Sequence, residues 1–433
     1  LATAELAELL DAVDPALLVV EEPFADDVAD ALDREAFAGD PALCSLPVDG
    51  EHTWEPYDAA VDAAAGGSGA DDRDEPAYDG PTVAPGDAHL FLHTGGSTGT
   101  PKETVVSHEA VVWNSLNTVA AWGLRDDDVT PMVFPMFHTG GWNVLTVPLF
   151  HLGATVAIAR DFDPAQVLAT VEPREATVLV AVPAVLRFLA ETDAWDEADL
   201  SSLRLVKSGG GPCRDAVIEA WRERGVDLSQ GYGLTECGPN NFAMPEGFPR
   251  EKTGTIGKPS LYVDARVVDE DGDPLPEGEV GELELASPHA AERYWRNEAE
   301  SAETFGEGWV STGDLARVDG DGYYRIEGRK KNMFVSGGEN VYPPRVEDAV
   351  ATHPHVQDVI VIPVPDETWG EVGKAVVEGD EEAFAVDELW DFLDGELAPY
   401  EVPRHLAFVD ELPRSGPEKL DRSAVEERFG DGP

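Results

Sequence analysis

Short apolar segments alternate with longer amphipathic segments along the middle of the chain, and this alternation restricts the fold more than any other feature. The segments "HLFLHT", "DVTPMVFPM", "TVAIA", "ATVLVAVP" and "LRLVKSGG" are predicted strands. The segments "SHEAVVWNSLNTVAAWG", "PAQVLATVEP", "AVLRFLAET" and "RDAVIEAWRERG" are predicted helices. Strands that alternate with helices form parallel sheets whose faces the helices cover. The sequence therefore predicts an α/β core.

The pattern differs at the two ends of the chain. Near the start, a short helix precedes "ALLVV", a predicted buried strand, and residues 63–87 are a predicted solvated loop. After residue 252, "VDARVVDEDGDPLPEGEVGELEL" and "GDGYYRIEG" combine short strands with Gly and Asp turns, which favours antiparallel hairpins. The last segment contains the predicted helices "PPRVEDAVATHP" and "VDELWDFLDGEL" and the predicted strand "VQDVIVIPV".

These patterns predict a multi-domain α/β protein with an additional α+β part. The part of the chain before residue 253 contains parallel, helix-covered sheets. The part after residue 252 is a predicted antiparallel, β-rich region. The segment that opens after "GRKKNMF" is a predicted α+β domain. A chain of 433 residues is long enough for this arrangement.

The chain is strongly acidic. Its 30 basic and 86 acidic residues give a formal net charge of −56, and the acids are spread along the whole sequence. Self-repulsion of this size destabilises a compact fold unless salt screens it. We therefore expect a cytoplasmic protein of a salt-accumulating organism, a haloarchaeon in particular. Nucleic acid and anionic membrane surfaces are poor partners for so negative a protein.

The sequence also lacks the patterns of a membrane-spanning segment and of a cysteine-based disulfide or metal site. The sequence contains no apolar run of the length that a membrane-spanning helix needs, about 18 residues or more. Cys44, Cys213 and Cys237 lack the spacing of a disulfide framework or a metal site, which fits a reduced interior.

The segment "HTGGSTGTPKE" is rich in glycine and hydroxyl side chains and ends in a lysine. It is not a Walker P-loop, because Pro101 and not Gly precedes Lys102. It does match the G-x-S-x-G turn of serine hydrolases, with Ser97 as nucleophile, and that turn must lead directly into a helix. A strand that enters a glycine-rich turn also aims backbone N–H groups at phosphate oxygens. A surface linker, a hydrolase and a phosphate-binding loop are all open at this point.

Five more segments follow that loop in order: "FPMFHTGG", "QGYGLTE", "STGD", "GRKKNMFVSGGENVYPPRVE" and "PRSGPEKLDR". Together the set resembles the acyl-adenylate-forming superfamily, which includes acyl-CoA synthetases, adenylation domains of peptide synthetases and beetle luciferases. The resemblance runs along the whole chain. It implies that a carboxylate attacks the α-phosphorus of ATP to give acyl-AMP and pyrophosphate, and that the thiol of coenzyme A then displaces AMP. ATP, Mg²⁺ and coenzyme A are the expected cofactor, metal and second substrate.

The resemblance also implies roles for individual residues. The phosphates are bound by Thr94, Gly95, Gly96, Ser97, Thr98, Gly99 and Lys102, and Mg²⁺ by Thr94 and Glu236. The adenine is enclosed by Gly210, Gly211, Pro212, Gln230, Gly231, Tyr232 and Gly233. The ribose is held by Asp314 and Arg329, and coenzyme A meets the segment of Gly338 and Asn340. Without the motif, Glu236 would be an ordinary surface acid and Tyr232 a packing residue.

The remaining implied roles concern the acid and the chemical step. The acid pocket contains His138, Trp142, Asn143, Gly209 and Gly233, and its small residues suit a medium-length acyl or an aryl group. The catalytic residues are Lys419, His138, Thr235 and Lys331. The resemblance further implies a large N-terminal domain of residues 1–329, with residues 253–329 as an antiparallel, barrel-like subdomain, and a small, mobile C-terminal α+β domain of residues 330–433. In the family, the small domain rotates about a hinge at the position of Lys331. That rotation withdraws the lysine at the position of Lys419 after the first half-reaction.

Several alternatives and departures accompany the resemblance. Besides a fatty or aryl acid–CoA ligase, an o-succinylbenzoate ligase, a serine hydrolase and a non-catalytic nucleotide binder are kept as alternatives. The chain begins at what corresponds to the middle of the family's large domain, so we expect a truncated start. Glu103 stands where the family usually has Gly, and "GPEK" replaces the common "TGK" before Lys419. The expected partners are the acid, ATP and coenzyme A, and a homodimer is left open.

Overall fold

The computed structural model describes residues 3–46, 53–64, 82–94, 102–379, 386–393, 395–414 and 420–430. The chain divides into two compact units, Leu1–Thr82 and Val83–Pro433. No helix within the described ranges is long and apolar enough to cross a bilayer.

The first unit is a small parallel sheet with helices. Its elements are α1 Thr3–Val13, β1 Leu17–Glu21, α2 Ala25–Leu32, β2 Ala42–Leu46, β3 Glu55–Pro56 and α3 Tyr57–Ala64. The strand order is β1-β2-β3, and both pairings are parallel. The prediction that "ALLVV" is a buried strand holds for only part of it, since Val20 is buried and other residues of this segment are exposed. Leu18 packs against the cluster of Ala7, Leu10 and Ala31 on the helices, whereas Leu17 and Val19, which point to the opposite face, are 48% and 41% exposed.

The second unit begins with the predicted alternation of strands and helices. Its first elements are β4 Ala88–Thr94, β5 Lys102–Ser107, α4 His108–Trp122, β6 Val129–Met132, α5 Val147–Leu152, β7 Thr155–Ile158, α6 Pro164–Val171, β8 Val178–Ala181, α7 Pro183–Glu191, β9 Leu205–Ser208, α8 Asp215–Glu223 and β10 Leu228–Gln230. Strands β6 and β7 are parallel, and so are β8, β9 and β10. The α/β core is confirmed.

Helix α4 shows how local sequence sets an element's bounds. Ser107 precedes it, and its side chain accepts a hydrogen bond from the backbone N–H of Ala110, which satisfies one free donor of the first turn. Gly123 ends the helix with a left-handed φ of 60°, a conformation that glycine adopts without strain.

The position of strand β5 tests the serine hydrolase interpretation of the glycine-rich loop, which the sequence left open. It follows the glycine-rich loop directly and pairs antiparallel with β4, with Thr94 opposite Lys102. Most of the loop itself, residues 95–101, lies outside the described residues. A nucleophile turn would lead from a strand into a helix. The serine hydrolase interpretation is therefore wrong, because a hairpin strand stands where that helix is required.

An antiparallel sheet follows, as the hairpin signals predicted. The elements are β11 Phe242–Ala243, β12 Lys258–Pro259, β13 Asp264–Val268, β14 Gly281–Ala286, β15 Arg293–Tyr294, α9 Glu298–Thr304, β16 Phe305–Gly306, β17 Trp309–Val318 and β18 Tyr324–Arg329. Strands β13, β14, β17 and β16 form one sheet, and β18 pairs with β17. Strand β15 is not part of this sheet. It pairs with β5 and so extends the glycine-rich β4–β5 hairpin to three strands.

The last segment forms a mixed sheet with helices. Its elements are β19 Phe334–Ser336, β20 Glu339–Val341, α10 Pro343–Ala351, β21 Val356–Asp366, β22 Gly370–Gly379, α11 Val386–Leu393, β23 His405–Val409 and α12 Arg422–Phe429. Strands β21 and β22 are antiparallel, and β23 is parallel to β22. The sequence predicted α10, β21 and α11 but not β19, β20, β22, β23 or α12. The domain boundary at residues 329 and 330 stays a prediction.

Candidate functional site

Asp314, Arg329 and Tyr232 form a hydrogen-bonded cluster. Asp314 on β17 and Arg329 on β18 are direct register partners, and Nε of Arg329 lies 2.6 Å from Oδ1 of Asp314. The phenol of Tyr232 donates to Oδ2 of Asp314 at 2.6 Å. Asp314 is 5% exposed, and its burial raises the pKa of its carboxyl above the ordinary value, while the charge of Arg329 opposes that rise. Three residues that the sequence assigned to the nucleoside therefore meet at one carboxylate.

Two glycine-containing loops extend the parallel sheet at the carboxyl ends of its strands. The N–H of Gly209 donates to the carbonyl of Ala181 at 3.0 Å, and the N–H of Gly231 donates to the carbonyl of Ser208 at 2.7 Å. These two bonds continue the backbone hydrogen-bonding pattern of the parallel sheet beyond the ends of β9 and β10. The loops of residues 209–212 and 230–233 therefore lie side by side. Ligands of open α/β sheets bind at this edge.

The glycines of these loops differ in what surrounds them. A Cβ on Gly209 or on Gly211 would meet no heavy atom within 4 Å, so both face open space. Gly210 has a φ of +83°, which favours glycine. A Cβ on Gly233 would overlap the backbone of Pro239, so a larger residue does not fit there.

Two more of the assigned residues lie beside these glycines. Pro212 directly follows Gly211 in the same loop, and Oε1 of Gln230 accepts from the N–H of Cys213 at 3.3 Å. Thr235, which follows in the second loop, is 8% exposed.

The residues predicted to bind phosphate belong to the β4–β5 hairpin. The Thr94 hydroxyl donates to the carbonyl of Lys102 at 3.2 Å, so the two ends of the glycine-rich loop are bonded to each other. Residues 95–99, which the sequence assigned to the phosphates, lie outside the described residues. The Lys102 ammonium forms an ion pair with Glu300 and lies 5.0 Å from the ring centroid of Tyr294.

Glu236 lies next to the same tyrosine. Its Oε1 accepts a hydrogen bond of 2.8 Å from the phenol of Tyr294, and its backbone carbonyl accepts from the N–H of Ala291 at 2.8 Å. Tyr294 thus contacts both Glu236 and Lys102. Neither Tyr294 nor Glu300 was predicted to belong to the site. The segment "ERYWRNEAE" in which they lie has no pattern of a ligand site, and only strand β15 brings it to the hairpin.

The donor set of Thr94 and Glu236 fits Mg²⁺. Magnesium takes hard oxygen ligands and is usually held by one or two carboxylates together with substrate phosphates and water. Within the described part of the chain, Oε2 of Glu236 accepts no hydrogen bond, so one carboxylate oxygen remains available as a ligand. No cluster of three or more His, Cys, Asp or Glu side chains suited to a metal occurs among the described residues.

The predicted acid pocket lies on an irregular helix. Residues Gly140–Thr146 form a π-helix, a conformation often found at functional sites. Nδ1 of His138 accepts from the N–H of Gly140 at 3.0 Å, which in the neutral ring leaves the proton on Nε2. A Cβ on Gly140 would lie 2.7 Å from the ring of Phe134.

Trp142 and Asn143 of the π-helix have buried polar side-chain atoms, and not all of these atoms have hydrogen-bond partners. The carbonyl of Asn143 accepts from Nδ2 of Asn114 at 2.6 Å, and its own Nδ2 donates to Thr139 at 3.3 Å. In contrast, Nε1 of Trp142 and Oδ1 of Asn143 are buried and have no hydrogen-bond partner among the described residues. A buried polar atom without a partner is costly, so each of these two atoms calls for a ligand or a water.

One asparagine connects the acid segment to the nucleotide motif. Nδ2 of Asn240 donates to the carbonyl of Val144 at 3.1 Å and to the hydroxyl of Thr118 at 2.7 Å. Asn240 lies shortly after "GYGLTE", whereas Val144 lies in the π-helix. The two parts of the predicted site are therefore held together in the folded unit.

The residues predicted in the last segment are placed as follows. Lys331 lies in the 3₁₀ turn Lys330–Asn332, directly after β18. Gly338, with a φ of +91°, forms the turn between β19 and β20, and Asn340 lies on β20. Lys419 lies outside the described residues.

An ion pair joins this segment to the α/β core. Arg214, which precedes α8, forms an ion pair with Oδ1 of Asp358 on β21 and donates to the carbonyl of Gln357 at 3.4 Å. Oδ2 of Asp358 lies 3.5 Å from Arg414 of the last segment. Asp358 therefore has one arginine on each side.

Comparisons with known proteins place this chain in a family. Residues 1–295 match the family model described as AMP-binding enzyme, and residues 345–419 match the AMP-binding enzyme C-terminal domain. The indoleacetate–CoA ligase of Aromatoleum aromaticum is 34% identical over 428 residues, which cover 98% of this chain and 81% of that protein. The feruloyl-CoA synthase of an Amycolatopsis species is 38% identical over 345 residues, covering 79% and 70%.

Solved structures agree. ATP-bound MatB from Rhodopseudomonas palustris has a TM-score of 0.85 at 30% identity and covers 100% of this chain and 82% of that chain. The anthranilate CoA ligase AuaEII in complex with anthranoyl-AMP has a TM-score of 0.84 at 26% identity, with 100% and 81% covered. The fold is that of the adenylate-forming α/β enzymes among these structures. The chain belongs to the AMP-binding enzyme family.

Proposed function

We propose that this enzyme activates an aromatic carboxylic acid whose ring carries a polar group. The chain is an ATP-dependent, AMP-forming acid–CoA ligase that uses Mg²⁺ and coenzyme A. The proposal adds the class of acid. Among its relatives are a feruloyl-CoA synthase, an indoleacetate–CoA ligase and a 2-succinylbenzoate–CoA ligase, although a long-chain fatty acid–CoA ligase also occurs.

The observation that carries this proposal is the pair of unpartnered buried atoms at the acid segment. Nε1 of Trp142 can donate a hydrogen bond and Oδ1 of Asn143 can accept one. A hydroxyl group or a ring N–H on the acid would satisfy one of them or both. An alkyl chain would leave both unsatisfied, and a site with unsatisfied polar groups discriminates against such a substrate. The open space at Gly209 offers the room that a ring requires.

We assign the remaining roles as follows. Thr94 and Glu236 hold Mg²⁺, which offsets the phosphate charge when it is bound. The loop of Gly95, Gly96, Ser97, Thr98 and Gly99 and the ammonium of Lys102 bind the phosphates. Asp314 and Arg329 hold the ribose, and His138 orients the carboxylate of the acid beside Thr235.

We also propose that residues 1–329 and 330–433 act as two domains. A cation from the small domain, Lys419, stabilises the charge that develops when the carboxylate attacks the α-phosphorus. The second half-reaction instead needs a path for the thiol. Rotation about Lys331 supplies that path by bringing Gly338 and Asn340 toward coenzyme A.

A panel of acids tests the proposed function. ATP-dependent release of pyrophosphate would be measured with hydroxycinnamates, indole acids and fatty acids, each at limiting concentration. We expect kcat/KM to be highest for ring acids with a hydroxyl or N–H group. Highest values for long alkyl acids would contradict the proposed acid class. No ATP-dependent release with any acid would indicate a nucleotide binder.

A separate proposal concerns the cellular setting. The net charge of −56 supports a cytoplasmic enzyme of a salt-accumulating organism of the halophilic archaeal type. Salt shortens the Debye length to about 3 Å at 1 M, which removes most of the repulsion between surface carboxylates. The unfolding midpoint should therefore rise steeply between low salt and molar KCl. Equal midpoints at both salt concentrations would contradict this proposal. A homodimer stays a prediction.

A further inference from the structure

Tyr294 occupies a position between two groups that the proposed mechanism uses. It is 5% exposed, and β15 aligns it with Thr104 on β5 of the glycine-rich hairpin. Its phenol donates to Glu236, and its ring lies beneath the ammonium of Lys102. One side chain therefore contacts the proposed metal ligand through its hydroxyl and the proposed phosphate-binding cation through its ring.

Glu300 supplies the second contact to Lys102. The side chains of Lys102 and Glu300 are 12% and 25% exposed, so solvent screens this ion pair less than a surface pair. Glu300 lies in the first turn of α9, where its N–H donates to the Asn297 side chain at 3.3 Å. The hydroxyl of Ser301 accepts from the N–H of Tyr294 at 2.9 Å, which bonds α9 to β15.

These contacts have different consequences for the two groups. A carboxylate that accepts a hydrogen bond at one oxygen is restricted in rotation, and its other oxygen is directed to a fixed place. The Lys102 ammonium, in contrast, is already neutralised by a carboxylate. A phosphate that binds Lys102 must replace Glu300 or share the cation with it. The free energy of the ion pair between Lys102 and Glu300 therefore reduces the free energy gained when the nucleotide binds.

We propose that Tyr294 and Glu300 are positioning residues of the first half-reaction. Tyr294 orients Glu236 for Mg²⁺, and Glu300 holds Lys102 in place until a phosphate of MgATP replaces it. This inference rests on the proposed use of Glu236 and Lys102. It assigns a role to β15 and α9, which the family motifs of the sequence do not include.

The phenol is tested by Tyr294→Phe, which keeps the ring beneath Lys102 and removes only the hydrogen bond to Glu236. The Mg²⁺ dependence of ATP binding would be measured by calorimetry without any acid, so that no turnover occurs. We expect the Mg²⁺ concentration at half-maximal ATP binding to rise about tenfold, the effect of one hydrogen bond to a charged group. Thioester formation from supplied acyl-AMP should keep its rate, because that step involves neither pyrophosphate nor its metal.

Tyr324→Phe is the matched control. Tyr324 is 8% exposed, and its phenol donates to the carbonyl of Ala265 at 3.0 Å. The substitution therefore removes a phenol hydroxyl, and its hydrogen bond, from a side chain that is about as buried as Tyr294. We expect a comparable loss of thermal stability but a wild-type Mg²⁺ dependence. If both variants show the same Mg²⁺ dependence, Tyr294 is a structural residue and the proposal is overturned.

Glu300→Gln tests the ion pair. With Lys102 no longer neutralised, we expect MgATP to bind about fivefold more tightly, the effect of one ion pair of modest strength. Glu303→Gln removes the same charge from an exposed position of the same helix and should leave the affinity unchanged. Unchanged or weaker binding in Glu300→Gln would contradict the exchange of Glu300 for phosphate. A wild-type enzyme that binds no MgATP would instead contradict the proposed function, so the two failures are distinguishable.

Discussion

The phenol of Tyr232 donates a hydrogen bond of 2.6 Å to the carboxylate of Asp314, 82 positions later in the sequence. The other oxygen of the same carboxylate is taken by Arg329. Two roles that the motifs assign separately, the adenine side and the ribose side, are therefore coupled through one bond. The ring of Tyr232 is further fixed by a T-shaped contact with Phe242, with centroids 5.6 Å apart.

Tyr232→Phe should weaken ATP binding although it keeps the aromatic ring. Loss of a hydrogen bond to a charged group costs about 1.5–3 kcal/mol. We expect the KM for ATP to rise about tenfold, while the KM for the acid changes little. A double-mutant cycle with Asp314→Asn, measured through the same KM, tests the coupling: the two effects should be less than additive. Strict additivity would show that the two side chains act independently.

Gly209→Val should change which acids the enzyme accepts. The backbone at Gly209 does not need a glycine conformation, and a Cβ there meets open space, so the variant should fold. Its side chain would occupy room that we assign to the acid. We expect kcat/KM for ring acids to fall by about tenfold or more relative to small acids, since such contacts are worth about 1–3 kcal/mol.

Gly211→Val is the comparison for that change, because its Cβ also meets open space but we place it on the nucleotide side. It should raise the KM for ATP and leave the order of acids unchanged. If both variants altered the acid preference alike, the assignment of Gly209 to the acid pocket would be wrong.

Lys419→Ala should separate the two half-reactions. Without its cation, acyl-AMP formation should fall by about a hundredfold or more, whereas thioester formation from supplied acyl-AMP should be nearly unchanged. Lys331→Pro, which restricts the backbone at the proposed hinge, should give the opposite result. Rapid-quench assays of each half-reaction measure both effects. Equal losses in both steps for both variants would contradict the rotation of the small domain.

Lys207 should make stability depend on pH above neutrality. It is 2% exposed and lies 5.0 Å from the ring of Trp122, and burial lowers the pKa of its ammonium from 10.5 to about 8. Between these values the unfolded chain holds the proton and the folded chain does not, so stability should rise as pH increases from about 8 to 10.5. Below pH 8 the cost of the buried charge is fully present, about 3 kcal/mol.

Lys207→Met removes that cost. It should raise the free energy of unfolding at pH 7 and remove the rise between pH 8 and 10.5, as measured by urea unfolding across that range. Lys258→Met serves as the control, because Lys258 lies over the ring of Tyr323 and is not fully buried. It should keep the pH-dependent rise. A rise that persists in Lys207→Met would assign the effect to another group.

The sequence predicted those parts of the fold that depend on local pattern. Helix α4 was recognisable because its cap at Ser107 and its end at Gly123 lie next to the apolar segment itself. Strand β5 was not separated from the loop, because a hairpin strand and a loop-to-helix turn have similar short sequences. The outward-facing residues of β1 were misjudged, because which face of a sheet is covered depends on distant helices.

The same distinction holds for the site. Glu236 and Asp314 were predicted because the motifs around them are contiguous. Tyr294 was missed because its contact with Glu236 spans 58 positions and depends on the pairing of β15 with β5. A single aromatic residue carries no local sign of such a contact.

The position of Asp358 between two arginines bears on how reversible the proposed rotation of residues 330–433 would be. If residues 330–433 turn as a body, Asp358 leaves Arg214 behind but takes Arg414 with it. Its carboxylate is then compensated before, during and after the movement, and Arg214 is 33% exposed and can be hydrated. Because no bare buried charge is created at any stage, this contact adds little to the barrier between the two orientations. The ion pair between Arg214 and Asp358 therefore stabilises the arrangement in which they are in contact but does not prevent residues 330–433 from leaving it, as repeated turnover requires.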